Sequence, residues 1–224
     1  AELEGAGEAL EQLASQRERT RNDYDQATDK LGKSRRKAAD KLGKEVSALM
    51  AELGMAGGVL KVELELADGV EPDPQGRERC ELLVSANPGQ PPRALRKVAS
   101  GGELARISLA IEVATLGNDS VGTMVFDEVD SGIGGAVAEV VGQKLRALGS
   151  QRQVLCVTHL PQVAAQGHAH LYVSKHSEGG HTRTRIQPLD AEGRRDELAR
   201  MLGGVEITRE TRAHAKQMLE RAQA

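Results

Sequence analysis

Three short stretches of the sequence carry residues that could act on a phosphate-containing ligand, and the first is "ASGGELAR". Ser100 and Glu103 have the S-x-x-E spacing of a capping box and are explained by a helix start. A helix start does not explain Gly101 and Gly102, because glycine lowers the stability of a helix by about 1 kcal/mol relative to alanine. The first N–H groups of a helix are unpaired and lie at its positive end, so bare backbone there can contact an anion. The motif indicates either an anion contact or only a tight helix start.

The second stretch, "MVFDEVD", places two adjacent acids directly after a short apolar run. Such a run is typical of a strand buried on both faces, and open α/β sheets bind ligands at the carboxyl ends of their strands. In that position Asp127 could hold Mg²⁺, and Glu128 could orient and deprotonate an attacking water, as in a Walker B element. The alternative is that both acids simply begin a loop.

The third stretch, "CVTHLP", places His159 at the end of the next apolar run. Its imidazole is expected at the same sheet edge as Asp127, where it could contact a phosphate; a structural or surface histidine is the alternative. His168 and His170 lie nearby, but no ligating cysteine supports a metal site. The glycines of "SGIGGA" do not have the spacing of a dinucleotide-binding fingerprint.

Residues 1–53 are predicted to form a coiled-coil arm. The segment contains no proline, is dense in charge, and repeats apolar residues every seven positions, for example at Leu3, Leu10 and Leu31. After Ala38 the repeat resumes with a four-residue phase slip. The partner helix would come from outside this segment; a solvated single helix or a disordered tail are the alternatives.

Residues 54–224 are predicted to form an α/β lobe. A strand, a helix and a strand follow in series from residue 124 to 159, which indicates a parallel βαβ unit. The other elements expected from periodicity are two alternating strands, a helix after the glycine pair, a hairpin and two closing helices, at 60–66, 80–86, 100–116, 170–187, 190–202 and 208–222.

Composition narrows the classes of protein further. Aromatic residues are 1% of the chain, which argues against stacking of single-stranded bases, and the net charge of −3 argues against a DNA-coating protein. No signal peptide and no apolar run of membrane-spanning length is found. The chain opens with Ala1 inside a helical pattern, so we expect a piece of a longer protein.

In order, "ASGGELAR", "VFDEVDSGIGG" and "VTHLPQVA" resemble the signature motif, the Walker B element with its D-loop, and the switch histidine of ABC/SMC-type ATPase heads, and among these the bacterial DNA-repair members most. The resemblance covers residues from about 55 to the end. It implies an α/β fold: the C-terminal lobe of such a head, with a parallel sheet, flanking helices and short antiparallel strands, preceded by a long coiled-coil helix.

The resemblance also implies a role for each motif residue. Residues 100–103 would contact the γ-phosphate of an ATP held mainly by a second head, and Asp130 would lie at the head–head interface. Asp127 would serve Mg²⁺ and Glu128 the lytic water. The implied site residues are therefore Ser100, Gly101, Gly102, Glu103, Asp127, Glu128, Asp130 and His159.

No G-x-x-x-x-G-K-[ST] phosphate loop occurs in the sequence. The resemblance implies that an N-terminal lobe supplies this Walker A loop, so that ATPase activity belongs to the full-length protein and this chain alone is inactive. It further implies a head–head homodimer and a cytoplasmic, nucleoid-associated protein with no membrane contact.

A DNA contact could use the basic residues at 93–97 or those at 183–185. Two other functions stay open: a non-enzymatic coiled-coil interaction module, and an ATPase subunit of an ABC transporter.

Overall fold

The computed structural model describes residues 2–67, 71–98, 100–117, 121–178, 181–203 and 206–223. The helices in this part of the chain are α1 Glu2–Glu52, α2 Gly101–Ala114, α3 Gly135–Leu148, α4 Pro161–Gln166, α5 Ala191–Gly203 and α6 Arg209–Gln223. The strands are β1 Val59–Leu66, β2 Glu78–Ser85, β3 Arg93–Ala94, β4 Thr123–Phe126, β5 Gln153–Cys156, β6 Leu171–Glu178 and β7 His181–Pro188. A 3₁₀ turn, Leu95–Lys97, joins β3 to the segment before α2.

Helix α1 is continuous through the phase slip, and its two halves have different surroundings. At 1.5 Å per residue it is about 75 Å long. Residues 5–23 are exposed on all sides, whereas from Tyr24 onward the helix packs on β1 and the loop after it. The hydroxyl of Tyr24 accepts the N–H of Asp73 at 3.0 Å, and Arg35 donates to the Gln75 carbonyl at 2.7 Å. The later heptad positions therefore meet their own chain rather than a second helix.

The last turns of α1 belong to the main core. Val46, Met50 and Leu53 are fully buried beside residues of β1, β2, α2 and α3. The new spacing after Ala38 thus turns the apolar stripe toward the sheet and the helices behind it. This half of the helix is stabilised by burial of apolar area, at roughly 25 cal/mol per Å².

The predicted antiparallel strands are confirmed. β1 pairs with β2 from Val59↔Ser85 to Leu66↔Glu78, and the two residues of β3 extend the sheet along β2. The sheet lies between the second half of α1 and solvent, so Leu60 and Val84 point into the core. Its role is to fix α1 against the lobe.

The predicted βαβ unit is also confirmed. β4 and β5 run parallel in register from Thr123↔Gln153 to Phe126↔Cys156, and α3 forms the connection between them. The expectation that β4 is buried on both faces is wrong for this chain. Phe126 is buried, but Val125 on the other face is 66% exposed, and its neighbours Leu155 and Val157 are 44% and 61% exposed.

Helix α4 was not anticipated from the sequence, where the strand was expected to run on to His159. The strand ends at Cys156, and Pro161 occupies the first turn of a short helix, a position where its missing N–H costs nothing. α4 packs against α3 and, with α5 and α6, encloses a second small core around Leu198. The hairpin β6–β7 and the two closing helices agree with the predictions.

Among the described residues, none of the helices combines the length and the apolarity that crossing a bilayer requires.

Candidate functional site

The start of α2 is built by the capping residue that the sequence predicted. Ser100 is the N-cap, and its Oγ accepts the backbone N–H of Glu103 at 3.3 Å. Ser100 and Gly101 are exposed, whereas Gly102 is buried. The open end of the helix, with its unpaired N–H groups, is therefore at the surface and reachable by a ligand.

The two glycines are explained in part by the chain itself. A Cβ built on Gly102 would lie 3.1 Å from the carbonyl oxygen of Ser131 and 3.2 Å from that of Glu128. A side chain at Gly102 would thus push against the backbone of the loop that follows β4. A Cβ built on Gly101 would lie 2.5 Å from Oε2 of Glu128, the mobile end of a side chain. The sequence interpretation, which considered only a ligand or a tight helix start, missed this close approach.

The adjacent acids lie at the carboxyl end of β4, as predicted. Asp127 is exposed, and its Oδ1 accepts the N–H of Glu128 at 2.9 Å. Glu128 has a φ of 57°, the one positive φ at a non-glycine residue in the described part of the chain. Such a conformation costs about 1–3 kcal/mol and persists where the surroundings enforce it. The turn brings the Glu128 carboxylate back to the positive end of α2, beside Gly101.

Asp130 is the residue that the resemblance places at the head–head interface. Its side chain points into its own chain and the residue is 2% exposed. Oδ2 accepts the Thr158 hydroxyl at 2.5 Å and the backbone N–H groups of His159 and Leu160 at 3.0 and 3.3 Å. Nδ1 of His159 lies 3.3 Å from the same oxygen, while the ring remains largely exposed. The carboxylate therefore holds the turn that carries the histidine.

Arg106 is a site residue that the sequence reasoning missed. It lies one turn after Glu103 on the inner face of α2 and is only 6% exposed. Its Nη1 donates to the carbonyl of Ser131 at 2.8 Å and to that of Val129 at 3.4 Å. Burial lowers the pKa of the guanidinium, and the nearby Glu103 carboxylate opposes that shift. The signal in the sequence was an arginine beside Ile107, on the face of α2 that the core covers.

These contacts bring the predicted residues together on three adjoining segments, 100–103, 127–131 and 158–160. The thiol of Cys156 lies behind them at the end of β5. Its burial, and the nearby carboxylates of Asp130 and then Asp127, raise its pKa to about 12. The site therefore combines the negative charges of Asp127 and Asp130 with the positive end of the α2 dipole.

The described part of the chain contains no metal site made of protein groups alone. In the described ranges, no group of three or more His, Cys, Asp or Glu side chains is arranged to hold a metal ion. Asp127 offers one exposed carboxylate. That suits Mg²⁺, which usually keeps several waters and binds through one or two carboxylates plus phosphate oxygens.

One stretch comes close to the phosphate-loop pattern. "ATDKLGKS", residues 27–34, has the spacing with Ala27 in place of the first glycine. It lies in the middle of α1, where the backbone N–H groups are taken by helical hydrogen bonds, and Gly32 faces the Glu78 carboxylate. It cannot cradle a phosphate, because that requires free N–H groups in a loop.

The chain shares extensive sequence identity with one group of curated proteins. It is 64% identical over 152 residues to the DNA repair protein RecN of Xylella fastidiosa, a match that covers 68% of this chain and 27% of that protein. This chain is similar to a segment of the RecN proteins. The RecN proteins of Vibrio cholerae and Bacillus subtilis are 54% and 45% identical over 146 and 148 residues, or 65% and 66% of this chain and 26% of each relative. The chain thus spans about a quarter of the length of its RecN relatives.

A comparison with solved structures supports the fold. The Smc head domain with a coiled coil and joint from Pyrococcus yayanosii has a TM-score of 0.50 and 21% identity, over 83% of this chain and 29% of that one. No protein-family model matches the chain. The chain therefore has the α/β fold of an SMC-type head, preceded by a long helix.

Proposed function

We propose that the chain is the C-terminal part of an SMC-like ATPase that acts in DNA double-strand break repair and recombination. The activity requires a second lobe that carries the phosphate loop. The observation that carries the proposal is the convergence of the signature helix, the Walker B acids and the switch histidine at one edge of the βαβ unit. The RecN relatives, which are named as DNA repair proteins, support the biological role.

The bare face of the β4–β5 sheet supports the need for a second lobe. Parallel strands are almost always covered on both faces. Here Val125, Leu155 and Val157 leave one face open to solvent. An N-terminal lobe whose own apolar elements cover this face would complete the sheet and bring its phosphate loop to the carboxyl ends of the strands.

In the proposed reaction, the start of α2 binds the terminal phosphate of an ATP held mainly by the neighbouring head. The hydroxyl of Ser100 and the N–H groups of Gly101 and Gly102 are the donors, favoured by the helix dipole. Ser100 also caps this turn, because its Oγ accepts the backbone N–H of Glu103. The carboxylate of Glu128 must move away from Gly101 for the phosphate to enter, because the two anions would repel each other.

Glu128, once displaced from Gly101, orients the attacking water and accepts its proton, and the exposed ring of His159 contacts the transferred phosphate. Asp127 would hold Mg²⁺, which would supply positive charge to neutralise the phosphate groups. Loss of the bridging anion then separates the heads, a shift in the population of a two-state assembly. For Asp130 we propose a positioning role within the lobe, through its contacts with the turn that carries His159.

The test compares phosphate release by this chain alone and by the chain joined to the missing N-terminal lobe. We expect turnover only in the second case. Glu128→Gln in the joined protein should keep nucleotide bound, lower kcat by a factor on the order of 100 or more, and lengthen the lifetime of the head dimer. Glu139→Gln, an exposed acid on α3, serves as the control and should hydrolyse ATP like the wild type.

Strong turnover by the chain alone would refute the split site. No dependence of any property on nucleotide, even with both lobes present, would favour the alternative of a non-enzymatic interaction module. That alternative has support in the exposed first half of α1, which carries Leu10 and Leu13 on its surface.

We also propose that DNA contacts the β6–β7 hairpin. Its register places His176 beside Arg183 and Ser174 beside Arg185 on one face. A two-stranded ribbon has the width to enter the major groove, and its cations can neutralise phosphates.

A further inference from the structure

We infer that Arg106 is a positioning residue. It holds the start of α2 (100–103), the Walker B loop (127–131) and the switch-histidine turn (158–160) in fixed positions relative to one another. The inference rests on the proposed function for its consequence in catalysis, but its geometry stands on the contacts of this chain alone. Because these segments are held together, the binding of a phosphate at residues 100–102 changes the positions of the Glu128 and His159 side chains.

The first link joins α2 to the loop. Arg106 reaches from the second turn of the helix to the carbonyls of Val129 and Ser131, which flank Asp130 on both sides. Gly102, one turn earlier on the same face, lets the helix approach the carbonyls of Glu128 and Ser131. The loop is thus held at both ends against a single face of the helix. A buried cation donating to two carbonyls is a strong contact, because charge-assisted hydrogen bonds gain strength away from water.

The second link joins the loop to the histidine turn. Because Arg106 fixes the residues on either side of Asp130, it also fixes the direction of that carboxylate. Asp130 then accepts the hydroxyl of Thr158 and the N–H groups of His159 and Leu160. A buried carboxylate that loses these donors is costly, so the turn must follow the loop.

The arrangement leaves Arg106 with little alternative. Among the described residues, its Nε is buried and has no hydrogen-bond partner. The contacts that hold the loop therefore leave one N–H of the guanidinium unpaired. The same burial lowers the pKa of Arg106. Methionine could fill the same space on this apolar face without burying an unpaired N–H, so packing alone does not explain an arginine here.

The test uses Arg106→Met and Arg106→Lys. A matched control is Arg194→Met, because Arg194 also donates to two backbone carbonyls, those of Gly167 and His168. Its Nε is likewise buried and has no hydrogen-bond partner in the part of the chain that the structure describes. Arg194 lies in the first turns of α5, and its hydrogen bonds go to residues that follow α4, outside the three segments.

The first measurement is amide hydrogen exchange in this chain alone. Arg106→Met should speed exchange of the His159 and Leu160 amides by a factor of about ten, although neither residue touches Arg106. Arg194→Met should leave those two amides unchanged while speeding exchange near residue 167. Arg106→Lys keeps the charge but has no fork of donors, and should fall between wild type and Arg106→Met.

The second measurement is ATP hydrolysis with the phosphate-loop lobe joined. Arg106→Met should lower kcat by a factor of about 100 with KM changed less than about threefold, because the Glu128 and His159 side chains are displaced while the triphosphate is held elsewhere. Arg194→Met should retain wild-type kcat even if both variants lose similar thermal stability.

Unchanged exchange at His159 and Leu160 in Arg106→Met overturns the inference, whatever the ATPase assay shows. Altered exchange together with an inactive wild-type protein overturns the proposed function but leaves the coupling intact. Equal losses of kcat in Arg106→Met and Arg194→Met would reduce Arg106 to a structural residue and also overturn the inference.

Discussion

At the scale of single residues, the site depends on how closely two backbones approach. Gly102 allows the start of α2 to lie against the loop at 128–131, and Glu128 adopts a left-handed backbone to return its carboxylate to the helix. The glycine pair thus has two distinct physical roles. Gly102 makes room for protein, whereas Gly101 remains exposed and leaves room for a ligand.

This difference gives a prediction for two adjacent substitutions. Gly102→Ala should lower the free energy of unfolding by about 1 kcal/mol or more, because strain of about 1–3 kcal/mol outweighs the gain in helix propensity. Gly101→Ala should be neutral or stabilising by up to about 1 kcal/mol, because only the flexible end of Glu128 must move. Urea unfolding followed by circular dichroism measures both. If the Gly102→Ala and Gly101→Ala variants are equally stable, the loop at 128–131 can move to make room for the added methyl group, and the prediction is wrong.

At the scale of elements, the motif residues lie on separate helices, strands and loops that pack against each other. The βαβ unit places the ends of β4 and β5 side by side, and α2 closes over the loop between β4 and α3. The hairpin β6–β7 is a different kind of element, since Leu171, Val173 and Ile186 are exposed on one face, whereas Arg183 and Arg185 lie on the other.

The proposed DNA contact belongs to this scale. Exchanging Arg183 and Arg185 for glutamine should weaken duplex binding by the joined protein and reduce the slope of log K against log salt by about 2, because two phosphate contacts are lost. The second basic patch provides the control: exchanging Arg93 and Arg96, the latter paired with Glu81 at 3.3 Å, should leave the slope unchanged. Fluorescence anisotropy across a salt series measures the slope. The opposite result would assign the contact to the second patch.

At the scale of the whole molecule, the chain consists of an exposed helical half and a lobe that includes the rest of the helix. The predicted division at residue 53 stays a prediction, but the burial of Val46 and Met50 places the end of α1 inside the core. We propose that the arm proper ends near Tyr24, where the helix first meets the loop that follows β1.

Truncation tests this organisation. Removing residues 1–22 should change the free energy of unfolding by less than about 0.5 kcal/mol, because that part of α1 is exposed. Removing residues 1–37 should cost about 2 kcal/mol or more, because it deletes the contacts of Tyr24 with Asp73 and of Arg35 with Glu78 and Gln75. Equal stability of the two truncated chains would return the boundary to residue 53.

Local chemistry alone determined the element types and the identity of the motif residues. Alternation, helical periodicity and the capping box depend only on neighbours along the chain, so β1, β2, α2, α3 and the hairpin could be predicted from the sequence. The phase slip after Ala38 was visible too, although its cause was not.

Only the tertiary structure decided which groups meet. Asp130 turns inward to hold the His159 turn, Arg106 joins α2 to the loop, and one face of β4 remains uncovered. These features depend on distances between residues more than 20 positions apart, on which side of a strand or helix faces the core, and on what covers it. Sequence spacing within a motif carries no information on such contacts, because they are set by how separate elements pack against each other.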